Sequence, residues 1–153
     1  MANVRAVPEG MHTITPHLVV KDGAKAIDFY KKAFGAKETR RALAPDGRVM
    51  HAELKVGDST IFLADEFPEM GSKGPSPGQS PVALHVYVDN VDDLFNRAVG
   101  AGASVRMPLM DAFWGDRYGQ IIDPFGHTWA LATHKEDVSA EEMERRSKSF
   151  QPS

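Results

Sequence analysis

The feature that most constrains what this chain can fold into is an internal repeat. The segment DGAKAIDFYKKAFGA, from Asp22 to Ala36, aligns with DNVDDLFNRAVGAGA, from Asp89 to Ala103, at a single offset of 67 residues. In both copies an aspartate closes a strand-like apolar run, apolar residues recur at helical spacing, and a glycine comes where a left-handed residue ends a helix. The apolar stripe is Ile27, Tyr30 and Phe34 in the first copy, and Val91, Leu94, Phe95 and Ala98 in the second. Two unrelated amphipathic helices would share the stripes, but not also the strand before and the glycine after. The pattern therefore predicts a duplicated supersecondary unit.

The segments after the two helices also match in kind. After the first come Lys37 to Ala44, the turn Pro45-Asp46-Gly47, Arg48 to Val56, the turn Gly57-Asp58, and Ser59 to Ala64. These read as three antiparallel strands joined by tight hairpins. After the second come Ser104 to Met110, an irregular stretch from Asp111 to Gly119, Gln120 to Ile122, the turn Asp123-Pro124-Phe125-Gly126, and Thr128 to Thr133. That turn places Asp, Pro and Gly at the positions a type I turn favours. Each half is a βαβββ unit, repeat 1 over 12–65 and repeat 2 over 81–134. The Gly-, Pro- and Ser-rich stretch 66–80 reads as a linker, although Glu66, Phe67 and Met70 also suit a lid. A tail helix is expected over 139–149. Ser139 and Glu142 form its capping box, with ion pairs Glu141 to Arg145 and Glu142 to Arg146, and its polar surface suits a partner subunit.

The 153 residues, 42% of them hydrophobic, suffice for one α+β domain with a core. The absence of cysteine excludes disulfides, thiolate metal sites and cysteine nucleophiles. With a net charge of −3 there is no basic field for nucleic acid, so none is expected as a partner. No apolar run is long enough to span a bilayer and the N-terminus lacks a signal-peptide layout, so no membrane partner is expected and a cytoplasmic location is. The scattered serines support no Ser-His-Asp order, and no glycine-rich phosphate loop comes after a strand, which disfavours nucleotide-dependent chemistry.

The phrases VKDGAKAIDFYKKAFGA, MHAELKVGDSTIFLAD and FWGDRYGQIIDPFGHTWALATH cover most of the chain from His17 to His134. Together they resemble the vicinal oxygen chelate superfamily, which unites glyoxalases, bleomycin-resistance proteins and dioxygenases, and within it the PhnB-like branch. The resemblance implies two βαβββ modules whose mixed sheets curve into cups, with a homodimer as the usual assembly. It also implies a small-molecule ligand or substrate and, in the enzymes, a divalent metal on the inner face that substrate oxygens chelate.

Strand alternation tests which residues share that face. In the first strand Ile14, Leu18 and Val20 form the apolar set, leaving Thr15, His17 and Val19 opposite. In the third, Met50, Ala52, Leu54 and Val56 should pack, leaving Val49, His51, Glu53 and Lys55. In the fifth, Val82, Leu84, Val86 and Val88 leave Ala83, His85 and Tyr87, and in the last Trp129 and Leu131 leave Thr128 and Ala130. The alternation thus yields an inner face holding His17, His51, Glu53 and His85. Imidazoles and a carboxylate are the ligand set of an open zinc, iron, nickel or manganese site, with His17, His51 and His85 as ligands and Glu53 as base. The places that carry ligands in metal-dependent glyoxalases fall here on Thr15, His51 or Glu53, Ala83 and Ala130, three of which are not ordinary ligands.

The segment AFWGDRYG, Ala112 to Gly119, offers Phe113, Trp114 and Tyr118 as apolar pocket walls, with Asp116 or Arg117 for polar contact. Alternatively it is a bulged strand whose Asp116 and Arg117 pair with each other. Asp111 suits either a base or a turn. His127 is expected to be exposed in its turn, and His12 and His134 lie at element ends. These residues support two function classes. One is a metal-assisted lyase or dioxygenase, with His17, His51, His85, Phe113, Trp114, Arg117 and Tyr118 contacting substrate. The other is a metal-free protein of the bleomycin-resistance type that sequesters a small cationic or aromatic compound.

Overall fold

Both halves form the predicted unit, and the reason is visible at each helix start. In a computed structural model describing residues 3–149, the chain divides into two compact units, Met1–Pro75 and Ser76–Ser153. Unit 1 runs β1 His17–Val20, α1 Gly23–Phe34, β2 Lys37–Leu43, β3 Val49–Val56 and β4 Ser59–Asp65. Unit 2 runs β5 Ala83–Tyr87, α2 Val91–Gly100, β6 Ser104–Asp111, β7 Asp116–Ile122 and β8 Thr128–His134, and then α3 Ala140–Ser147. The sheets are ordered β1-β4-β3-β2 and β5-β8-β7-β6, each with one parallel pair at the edge that opens the unit. The α+β class and the two modules are as the sequence predicted.

Asp22 caps α1 by accepting from the Lys25 amide, and Asn90 does the same for α2 through the Asp93 amide. The caps thus fall one residue further apart than the Asp22–Asp89 alignment implied. At the other end Gly35 closes α1 in the left-handed region at φ 67°, whereas α2 ends on right-handed Ala101 and the positive φ passes to Gly102. Every residue of both predicted stripes is buried.

Several expectations need correction. Ile14 is 83% exposed and lies before β1. In β3 the alternation breaks at Met50: Leu43 pairs with Val49 and Ala42 with His51, so Met50 is an unpaired bulge residue. Val49 therefore turns into the core, 1% exposed, while Met50 turns out at 55%. Strand β7 begins at Asp116, inside the stretch read as irregular, because Asp116 pairs with His134 across the sheet. The supposed linker is partly built into unit 1: Pro68–Met70 forms a 3-10 turn, Phe67 bridges to Ser72, and Arg48 lies 4.0 Å over the Phe67 ring while contacting Asp46, Glu69 and the Glu66 carbonyl. In α3, Ser139 caps as expected, but Arg145 pairs with Glu142, not Glu141.

Candidate functional site

The helix sides of the two sheets fix, by elimination, which faces are open. In unit 2 a Cβ at Gly119 would come within 2.9 Å of Phe95, Thr133 accepts from the Val91 amide, and Arg117 pairs with Asp92 of α2. Residues 117, 119 and 121 therefore face the helix, and Asp116, Tyr118 and Gln120 face away. The pairings His85 with Ala130, Gln120 with Ala130, Tyr87 with Ala132 and Tyr118 with Ala132 lay out the open face. Between Thr128 and His134, β8 contributes to this face only the methyl groups of Ala130 and Ala132, and the aromatic side chains of the flanking strands lean over them. Ala130 and Ala132 are 2% and 0% exposed as a result.

The outcome is a continuous strip of five rings. Tyr87 lies 4.7 Å from His85 between centroids, His85 5.8 Å from Tyr118, Tyr118 5.1 Å from Trp114, and Trp114 5.0 Å from Phe113, the last two contacts edge-to-face. Polar anchors hold the rings. The Asp116 carboxylate, 3% exposed, accepts from the Tyr87 hydroxyl at 2.9 Å, the Trp114 indole N–H at 3.1 Å, and His134 Nδ1 at 2.7 Å. Burial opposes its ionisation, but the hydrogen bonds from His134, Tyr87 and Trp114 outweigh it and hold its carboxyl below the usual aspartate range. The same bond raises the Tyr87 phenol above its ordinary value. The Tyr118 oxygen accepts from Gln120 Nε2 at 2.6 Å, and Gln120 is in turn held by Arg106.

Beyond β8, the chain returns over the loop that carries two of these rings. The amides of Lys135 and Glu136 both donate to the Gly115 carbonyl, and Arg146 of α3 reaches the Phe113 carbonyl and Glu136. At the carboxyl ends of β5 and β8, Tyr87, Val88, Asp89, Thr133, His134 and Lys135 line a depression of about 490 Å³.

The open face of unit 1 is laid out alike but filled differently. His17 pairs with Phe62, Phe62 with Glu53, and Glu53 with Arg40. Phe62 stands between the two histidines, 6.3 Å from His17 and 4.8 Å from His51. Glu53 is engaged by Arg40 at 3.4 Å and His51 at 3.8 Å.

The structure thus gathers His85, Phe113, Trp114 and Tyr118 in one strip, while His17, His51 and Glu53 share a face in unit 1. Arg117 is not with the strip: it faces the helix and pairs with Asp92 and Asp111, so it is not Asp116's partner. Within neither unit do the described residues bring together three His, Asp or Glu side chains placed to hold a metal ion. Phe62 is the local reason in unit 1. Sequence reasoning missed Asp116 as the anchor, Tyr87 as a ring of the strip, and His134. Tyr87 has a sequence signal, since it shares a face with His85; His134, at the end of a strand, has none.

Two βαβββ units with one open face each, and a family model spanning residues 10–131, place the chain in the Glyoxalase/Bleomycin resistance protein/Dioxygenase superfamily. It belongs to that family, and a PhnB protein is among the solved structures sharing its fold. The chain is 47% identical over 135 residues to the uncharacterized protein Rv0887c of Mycobacterium tuberculosis, covering 86% of this chain and 79% of the relative. Among solved structures it resembles TioX from Micromonospora, with 28% identity, a TM-score of 0.65, and coverage of 80% of this chain and 98% of TioX. It also shares its fold with FosX, a fosfomycin resistance protein of Listeria monocytogenes solved with Mn(II), at 17% identity and a TM-score of 0.61 over 86% and 95% of the two chains. Among the described residues no helix is long and apolar enough to cross a membrane.

Proposed function

We propose that the protein binds a flat aromatic small molecule without a metal, on the five-ring strip of unit 2. The observation that carries this reading is the strip itself: rings already in mutual contact and anchored by a buried carboxylate lose little freedom when a ligand stacks on them. The metal-assisted alternative has weaker support, because His17 and His51 have Phe62 between them and Glu53 is already committed to Arg40 and His51. His85 is then a ring of the ligand surface and not a metal ligand. In this reading the chain acts as one domain, 1–153, in a cytoplasmic homodimer.

The test is calorimetric titration of chelator-treated protein with naphthalene-2-carboxamide, a neutral flat probe. Each ring contributes about 1 kcal/mol, so Tyr118→Ala should weaken binding roughly fivefold. Added Zn(II) or Mn(II) should leave the affinity unchanged. Binding that needs the metal, or that is indifferent to Tyr118→Ala, would sink the proposal.

A further inference from the structure

The depression beside the strip bears on the chemistry of the ligand. His134 sits on its wall with both ring nitrogens 2.7 Å from carboxylate oxygens, Nδ1 from Asp116 and Nε2 from Asp137. Two acceptors on one ring are satisfied together only when both nitrogens carry a proton. The two partners are not alike. Asp116 is buried and bound to three donors, so it fixes the ring's orientation. The Asp137 side chain is fully exposed, three residues along the chain from His134, and holds Nε2 through a solvent-screened pair. Such a pair is weak and readily exchanged.

Tyr87 joins the two features: its ring belongs to the strip and it lines the depression with His134 and Lys135. A molecule stacked at the Tyr87 end of the strip would therefore present a substituent to a fixed imidazolium N–H, with Lys135 on the same lining. Asp89 is the one acidic residue on the lining, while Asp116 behind His134 and Asp92 beside Lys135 are the neighbouring carboxylates.

Building on the aromatic-strip reading, we infer that the ligand is an aromatic acid whose carboxylate displaces Asp137 from His134 Nε2, with Asp137 standing in for that group in the free protein. His134 and Lys135 form an anion subsite, and Asp137 is its internal competitor.

The experiment compares 2-naphthoate with naphthalene-2-carboxamide by calorimetry on the full chain near neutral pH. The acid should bind at least about fivefold more tightly, the gain of a charge-assisted hydrogen bond at a half-exposed site. His134→Gln, whose amide can still donate to Asp116, should bring the two probes to equal affinity, and its thermal unfolding midpoint shows that the variant is folded. Asp137→Asn should tighten naphthoate about threefold, by removing the competitor, and leave the carboxamide unmoved. Equal binding of the two probes, a preference that survives His134→Gln, or no gain in Asp137→Asn would each overturn the inference and leave the strip standing. If neither probe binds, the strip reading fails and this one falls with it.

Discussion

The two units share a backbone plan and differ in what holds the helix start and in what occupies the open face. In unit 1 Asp65 ends β4 on the helix side, accepting from the Gly23 amide at 2.7 Å and the Val49 amide at 2.6 Å, so it ties the start of α1 to the sheet. The corresponding place in unit 2 is Thr133, whose hydroxyl accepts from the Val91 amide and donates to the Val88 carbonyl. Unit 2 places one buried carboxylate, Asp116, on the open face, beside a second, Asp123, that accepts from the Trp129 indole N–H in the turn before β8. A matching exchange occurs in the middle strands, where Phe62 fills the open face of unit 1 and Ala130 leaves room for rings in unit 2. Duplication thus kept the frame and separated the duties: Asp65 secures a helix, whereas Asp116 orders a surface.

The comparison breaks most visibly at the helix anchors. Asp65→Ala strands two buried amides that now donate to a charged acceptor, and should cost about 3 kcal/mol in urea unfolding. Thr133→Val should cost about 1.5 kcal/mol, because the bonds it loses are neutral. If the two losses are equal, the division of duties is wrong.

A smaller effect is expected from exchanging the middle residues. Ala130→Phe overfills the space beneath the rings, at about 1–3 kcal/mol, and should abolish binding of the flat probe. Phe62→Ala should cost about 1–2 kcal/mol, less than for a fully buried ring, and leave the affinity unchanged. Retained binding in Ala130→Phe would locate the ligand elsewhere.

The smallest effect is a pH dependence belonging to unit 2. The hydrogen bonds that His134 donates, to Asp137 first and Asp116 second, raise its imidazole above its ordinary value of 6.5. A base whose folded value is raised contributes stability that is complete below the unfolded value and disappears as pH rises through the folded one. The unfolding midpoint of the wild type should therefore exceed that of His134→Gln at about pH 6, and the gap should close by about pH 9. A gap that widens with pH would reverse the assigned charge on the ring.

Much of the frame was legible because it rests on local chemistry. Asp22, Gly35 and the stripe residues of both helices act within one turn of their own position, so spacing alone revealed them. The errors arose where a residue's role depends on a distant strand. Met50 reads as a packing residue until its pairing with β2 is known, and Asp116 reads as a polar ligand contact or the partner of Arg117 until Tyr87 and His134 arrive from elsewhere. The candidate site was legible in part for the same reason. Phe113, Trp114 and Tyr118 lie close together in sequence, whereas Phe62's position between His17 and His51 emerges only from the register of three strands.

The placement of the two tryptophans has an optical consequence. Trp129 is 2% exposed on the helix side, with its indole N–H bound to Asp123 at 2.8 Å, whereas Trp114 is half-buried in the strip. With two indoles in the chain, one in the core and one on the ligand surface, emission carries two separable channels. Replacing Trp114 with phenylalanine leaves a reporter of folding, and replacing Trp129 leaves a reporter of occupancy.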